Sequence, residues 1–225
     1  MQSVTNTLIL QYPTTVGITD DCALAYVIDL ADLDPDPCPP IHLNGTVSEL
    51  VNVFSLFGND REVLFDGSSS SITITSGKQV ASFALSNPKL IKEPYNAEPK
   101  RVLVYDKLPS CFDIPITKDD INKLKQAASV FTSATHILLS ASEDKGIATL
   151  VDDNRYSRNK DYYMLNIEHA VTYKTAKVYV SCELFFALPL ADYVFSTKVI
   201  ESTGVFCLVA SSKDIPSFKA VLTCE

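Results

Sequence analysis

Three lysines, Lys118, Lys123 and Lys125, fall within the stretch TKDDINKLKQAASVF, in a chain whose 19 Lys and Arg are outnumbered by 27 Asp and Glu, giving a formal net charge of −8. Cations gathered on one segment of an acidic protein are a means of touching phosphate. An ordinary solvated helix surface is the other reading, since Asp119 and Asp120 offset part of that charge. The remaining residues able to do chemistry are dispersed. The six cysteines (Cys22, Cys38, Cys111, Cys182, Cys207 and Cys224) form no C-x-x-C pair, which favours free thiols in a reducing compartment, the cytoplasm, over a disulfide framework. His42, His136 and His169 lie outside metal-ligand spacing of one another and of any cysteine, so no metal site is expected. A nucleophile pair of Cys111 or Cys182 with His136 or His169 is the one catalytic option that the residue types leave. The acids Asp32, Asp34 and Asp36 alternate with prolines in DPDPCPP and read as an extended loop before they read as a cation site. Asn44-Gly45-Thr46 matches a glycosylation sequon, but Thr46 serves better as a helix cap and no secretory signal precedes it. No enzyme and no cofactor are expected.

The elements that carry these residues are mostly short strands bounded by turn residues. TLILQY, TTVGI and ALAYVIDL come first, then EVLF, SITIT and QVASFALS. Between the two groups, TVSELVNVFSLFG predicts a helix over 46–57: Thr46 and Glu49 form a capping box, Val47, Leu50, Phe54 and Phe57 recur at helical spacing, and Gly58 suits the stop. From 86 to 112, Pro88, Pro94, Pro99 and Pro109 argue for a connector without continuous helix or central strand. The lysine-bearing segment then predicts a helix capped by Thr117 with Asp120 at the third position. Ile121, Leu124, Ala128 and Phe131 form its apolar stripe, leaving Asp119, Asn122, Lys123 and Gln126 outward and Lys118 and Lys125 flanking that face. ATHILLSAS, GIATLV and DYYMLNIEH follow as strands. No apolar run approaches the ~18–20 residues needed to cross a bilayer, so no membrane is implied.

The end of the chain repeats the element order of its first half. IHL, helix 46–57, the hairpin EVLF/SITIT and QVASFALS correspond to VYV, a helix over 181–188, the hairpin DYVFSTKV/VFCLVAS and SFKAVLTC. The expected fold is therefore α+β: two similar subdomains, 1–87 and 111–225, joined by a connector over 88–110, each an antiparallel sheet with short helices on one face. A protein that holds DNA by electrostatic grip shows a broad basic surface, and this chain has none. A closed ring around the duplex needs no such surface, because topology prevents loss while a few lysines make weak, mobile contacts and an acidic exterior discourages non-specific sticking.

Helix 46–57 with REVLFDGSSSSITIT, the connector, the run from IPITKDDINKLKQAASVF to LVDDNRYS, and the ending LPLADYVFSTKVIESTGVFCLVASSKDIPSFKAVLTCE resemble the DNA polymerase sliding clamps of T-even-like bacteriophages, relatives of the eukaryotic proliferating cell nuclear antigen. The likeness spans most of the chain and lies in element order, not in a short signature. It implies a DNA clamp fold in a head-to-tail homotrimeric ring, with sheets outside and helices lining the hole. The implied partners are double-stranded DNA without sequence preference, a DNA polymerase and an ATP-driven clamp loader, with a further role in late viral transcription. Carried onto this sequence, the DNA-facing residues are Lys118, Lys123 and Lys125 on one inner helix and Asn52 and Ser55 on another. Partner peptides would dock near Leu90, Ile91, Leu103, Val104 and Leu222, residues that otherwise simply pack the connector down. Relatives open with an amphipathic helix before the first strand, whereas this chain starts almost directly at TLILQY. Either its start is truncated relative to theirs or the inner wall has one helix fewer per subunit. The expected function is a non-enzymatic processivity clamp. A monomeric or dimeric factor gripping DNA on one open face is the alternative.

Overall fold

The computed structural model of the chain describes residues 7–10, 14–18, 23–29, 41–44, 52–57, 62–65, 71–85, 104–152, 162–200, 203–215 and 218–224. The first half supplies seven strands: β1 (Thr7–Leu10), β2 (Thr14–Ile18), β3 (Leu24–Asp29), β4 (Ile41–Asn44), β5 (Glu62–Phe65), β6 (Ser71–Ser76) and β7 (Gln79–Ala84). The second half runs β8 (Ser110–Ile116), α1 (Lys118–Val130), β9 (Ala134–Ser142), β10 (Lys145–Asp152), β11 (Tyr163–Glu168), β12 (Val171–Thr172), β13 (Lys177–Ser181), α2 (Cys182–Ala187), β14 (Tyr193–Ile200), β15 (Val205–Ser212) and β16 (Phe218–Thr223). Helical residues also occur at 52–55 and at 104–106. The sequence expectation of an α+β protein built on antiparallel pairs with few short helices is met: every strand pairing is antiparallel.

Three sheets form among the described residues. One has nine strands in the order β12-β8-β14-β15-β16-β3-β2-β1-β4, one has four in the order β11-β10-β9-β13, and one has three, β5-β6-β7. The nine-stranded sheet crosses between the halves of the chain where β16 pairs with β3, Phe218 opposite Ile28 and Leu222 opposite Leu24. The pairing orders echo one another. In the first half β4-β1-β2-β3 are neighbours, and in the second half β13-β9-β10-β11 repeat that arrangement; β5-β6-β7 is likewise repeated by β14-β15-β16.

Period-two alternation explains the local choices. In β6 the sequence SITITS buries Ile72 and Ile74 on one face and turns Ser71, Thr73 and Thr75 to the other. The β6–β7 hairpin closes through a two-residue loop whose Gly77 has φ +58, a left-handed geometry that glycine adopts without steric cost. The main core gathers inward residues of β8, β14, β15 and β16 (Phe112, Ile114, Phe195, Leu208, Ala220) with those of β9, β10 and β13 (Ile137, Leu139, Leu150, Val180), all fully buried. Phe185 of α2 stacks on Phe195 with ring centroids 4.9 Å apart. The two sheets approach so closely at Gly146 that a Cβ there would lie 3.0 Å from Cγ2 of Ile114. A second cluster surrounds Phe57, Ile72 and Ile74, and a third, Val27, Cys207, Val209 and Val221, lies on the opposite face of the nine-stranded sheet from the main core.

One segment departs from expectation. The sequence reading runs the proline-bearing stretch of Pro88, Pro94, Pro99 and Pro109 as far as Phe112, yet residues 110–112 open β8, an interior strand between β12 and β14. Pro115 is tolerated because β12 reaches only Phe112 and Asp113, so the rim beyond them needs no backbone donor from β8. The connector also ends in a helical turn, closed by Lys107 N donating to Val104 O and Leu108 N to Tyr105 O at 3.1 and 3.2 Å.

Candidate nucleic-acid interface

Helix α1 starts where its sequence dictates. Thr117 Oγ1 accepts from Asp120 N at 3.2 Å, and Thr117 N donates to Asp120 Oδ2 at 3.2 Å, completing the capping box. Lys118 N donates to Asp192 Oδ1 at 2.8 Å, so a carboxylate meets the positive end of the helix dipole, and Asp192 N is held in turn by Asp214 Oδ2 at 3.0 Å. Partial burial pushes the Asp120 carboxyl up, but the bonds from Thr117 and the nearby Lys123 outweigh this and hold it below the usual carboxylate range. Ile121, Leu124 and Ala127 are buried, with Ala128 and Phe131 half-buried beside them. The stripe is thus one residue wider than the sequence reading placed it. Emptying the Leu124 site would cost about 2–5 kcal/mol, so the helix is held firmly by its inner face.

Its three lysines have different surroundings. Lys118 is exposed at the first turn. Lys123 is exposed but lies 3.4 Å from Asp120 Oδ1, an i,i+3 pair that offsets its charge. Lys125 is half-buried, with its Nζ 5.8 Å from the ring centroid of Phe186 on α2, so the two helices abut through a cation–π contact. Helix α2 buries Phe185, exposes Glu183 and carries no lysine or arginine. Asn52 and Ser55 are exposed on the helical residues 52–55, where Ser55 Oγ donates to Asn52 O at 2.6 Å. The capping residues Thr46 and Glu49, and Val47 and Leu50 of that helix, lie outside the described residues. The exposed groups on these helical residues thus include Lys118 and Lys123 with Asp119 on α1, Glu183 on α2, and Asn52 and Ser55 at 52–55.

The residues expected to receive partner peptides are dispersed. Leu90, Ile91 and Leu103 lie outside the described residues. Val104 is 55% exposed at the connector turn. Leu222 is fully buried and faces the main core, so it offers no surface. Its neighbour Val221 points to the other side of the sheet, where Tyr105 packs against Val27, Cys207, Val209 and Val221. Beside it, Lys219 Nζ meets Asp106 Oδ2 at 2.5 Å. The sequence reading missed Tyr105, Asp106, Lys219 and Val221. A usable signal existed in the unbroken apolar runs CLVA and AVL of β15 and β16, which alternate in neither strand because both sheet faces are covered there.

Burial works against the thiols of the Cys–His option. Burial pushes the Cys111 thiol up and the Cys182 thiol to about 11, away from the thiolate form a nucleophile needs. His136 Nδ1 is 2.9 Å from Thr135 Oγ1, and His169 sits in a left-handed turn at φ +62. Among the described residues no group of three His, Cys, Asp or Glu gathers as a metal site, and no helix is long and apolar enough to cross a membrane.

No protein-family model matches the chain. No curated protein matches it either. Solved structures do. A protein assigned as a DNA polymerase III beta subunit from Eubacterium rectale superposes with a TM-score of 0.65 at 6% identity, covering 99% of this chain and 57% of that one. A. fulgidus PCNA, solved with the C-terminal region of FEN-1 bound, gives 0.66 at 11% identity over 99% of this chain and 90% of that one. Proliferating Cellular Nuclear Antigen from Entamoeba histolytica gives 0.65 at 11% identity over 98% and 89%. The chain therefore spans little more than half the length of the bacterial protein and most of the other two. At these identities the likeness establishes the fold, which is the DNA clamp fold.

Proposed function

We propose that this chain is a sliding clamp of bacteriophage type, a processivity factor that encircles duplex DNA as a head-to-tail homotrimer and tethers the replicative DNA polymerase. It has no catalytic role of its own; an ATP-driven loader opens the ring onto DNA, and the loaded ring also supports late viral transcription. Each subunit comprises two similar units, 1–87 and 111–225, with 88–110 between them. Lys118, Lys123 and Lys125, with Asn52 and Ser55, face the DNA.

The observation that carries this reading is a joint made once and offered once more. Within the chain, β16 closes against β3. By the repeated pairing order, β7 is the counterpart of β16 and β11 the counterpart of β3, and both end their sheets. A copy of the chain therefore carries one half of the same joint at each of two edges. Such a heterologous contact generates a ring when its rotation closes. The side chains support it: β7 presents half-buried Ala81 and Phe83, and β11 half-buried Tyr163 and Leu165. Pairing them would bury apolar surface that a lone chain leaves in water. Beside β11, a groove lined by Ala127, Val130, Phe131 and Tyr163, with Lys123 and Gln126 at its polar side, adjoins that surface, and Val130 is 75% exposed.

Sedimentation at micromolar concentration tests the proposal. A mass near three chains is expected. A folded monomer that binds short linear duplex with steep salt dependence would instead support the open-face factor.

A further inference from the structure

The apolar patch of Val27, Cys207, Val209 and Val221 lies on the side of the nine-stranded sheet turned away from the main core, and all four residues are buried. It draws on β3, β15 and β16, and so straddles the β16–β3 joint between the two halves of the chain. Among the described residues, the large apolar side chain packed on it is Tyr105, from the connector and not from a sheet or long helix. Among the same residues, the turn that carries Tyr105 is held by two backbone hydrogen bonds within 104–108 and by the Lys219–Asp106 ion pair, each partner of which is about one-third exposed. Val104, next to Tyr105, is 55% in solvent.

We propose that Tyr105 and Asp106 form a latch that closes this patch in the free protein, with Tyr105 as the plug and the Lys219–Asp106 pair as the catch. The patch is a good site for an apolar anchor, and the chain itself supplies the first occupant. An incoming segment must therefore displace an aromatic ring and outcompete a carboxylate for Lys219. The energetic balance favours switching: an ion pair one-third exposed contributes little and is screened by salt, while a tyrosine leaving an apolar patch loses contacts that an anchor of similar size restores. The use of the latch as a gate for partner segments rests on the clamp reading. The latch itself does not.

Cys207 provides the readout, because it belongs to the patch on which Tyr105 packs and burial pushes its thiol up to about 11 against the opposing effect of Lys198. The experiment follows iodoacetamide alkylation of each cysteine in the full chain by peptide mass spectrometry, with Cys111 in the main core as the internal control. Asp106→Asn is expected to raise the Cys207 rate about two- to five-fold, Tyr105→Phe to leave it near the parent value, and Tyr105→Ala to raise it further, with Cys111 unchanged throughout. Raising the salt concentration should speed Cys207 in the parent and have little effect in Asp106→Asn. An unchanged Cys207 rate in both Asp106→Asn and Tyr105→Ala would overturn the latch, as would Cys207 and Cys111 rising in parallel, which would mean that access requires global opening. Neither result would bear on ring formation, which is read by mass.

Discussion

At the scale of single residues, the lysines of α1 are unequal. Lys118 is exposed at the first turn, Lys123 shares its charge with Asp120 at 3.4 Å, and Lys125 leans over Phe186. On the proposed reading, such a surface would lubricate more than it grips. Each phosphate contact contributes about 0.9 to the salt-dependence slope of DNA binding, so replacing Lys118, Lys123 and Lys125 together with alanine should lower that slope by at most about 3. Processivity or loading, measured in a reconstituted polymerase assay, should fall while the mass in solution stays that of the parent. Loss of assembly instead would reassign the lysines to a subunit contact. The lysine segment was legible from sequence because Thr117, Asp120 and the spacing of Ile121 and Leu124 fix both the start of the helix and its buried face. The residues named for partner peptides were not. Leu222 came from the resemblance, and AVL in β16, buried on both sides, carries no alternation to show which face each residue takes.

At the scale of elements, strand positions were readable wherever turn residues bound an alternating run. EVLF and ATHILLSAS coincide with β5 and β9 residue for residue. β8 escaped because two prolines flank or enter it, and proline's cost depends on whether a neighbouring strand needs the missing donor, which is a tertiary fact. Which edges would join copies was equally invisible, since it depends on sheet order. The proposed seam makes a specific forecast at this scale. Val80 on β7 and Met164 on β11 are exposed, at 68% and 45%, on edge strands, so changing them leaves each fold intact. Val80→Lys combined with Met164→Lys places like charges on the two edges and should convert the assembly into folded monomers by sedimentation. Val80→Lys with Met164→Glu should restore assembly. If the doubly lysine-substituted chain stays assembled, the seam lies elsewhere.

At the scale of the whole molecule, the proposed function requires an acidic chain, carrying 19 basic against 27 acidic residues, to stay with a polyanion by enclosure and not by affinity. The clamp fold supplies rigid units, the β16–β3 joint supplies a pattern for closing them, and α1 supplies a thin cationic surface. The most direct measurement loads the protein onto nicked circular DNA with a clamp loader and ATP, removes free protein, and then cuts the circle once. Retention on the intact circle and release after linearisation is the predicted result. Equal retention on circular and linear DNA would contradict encirclement.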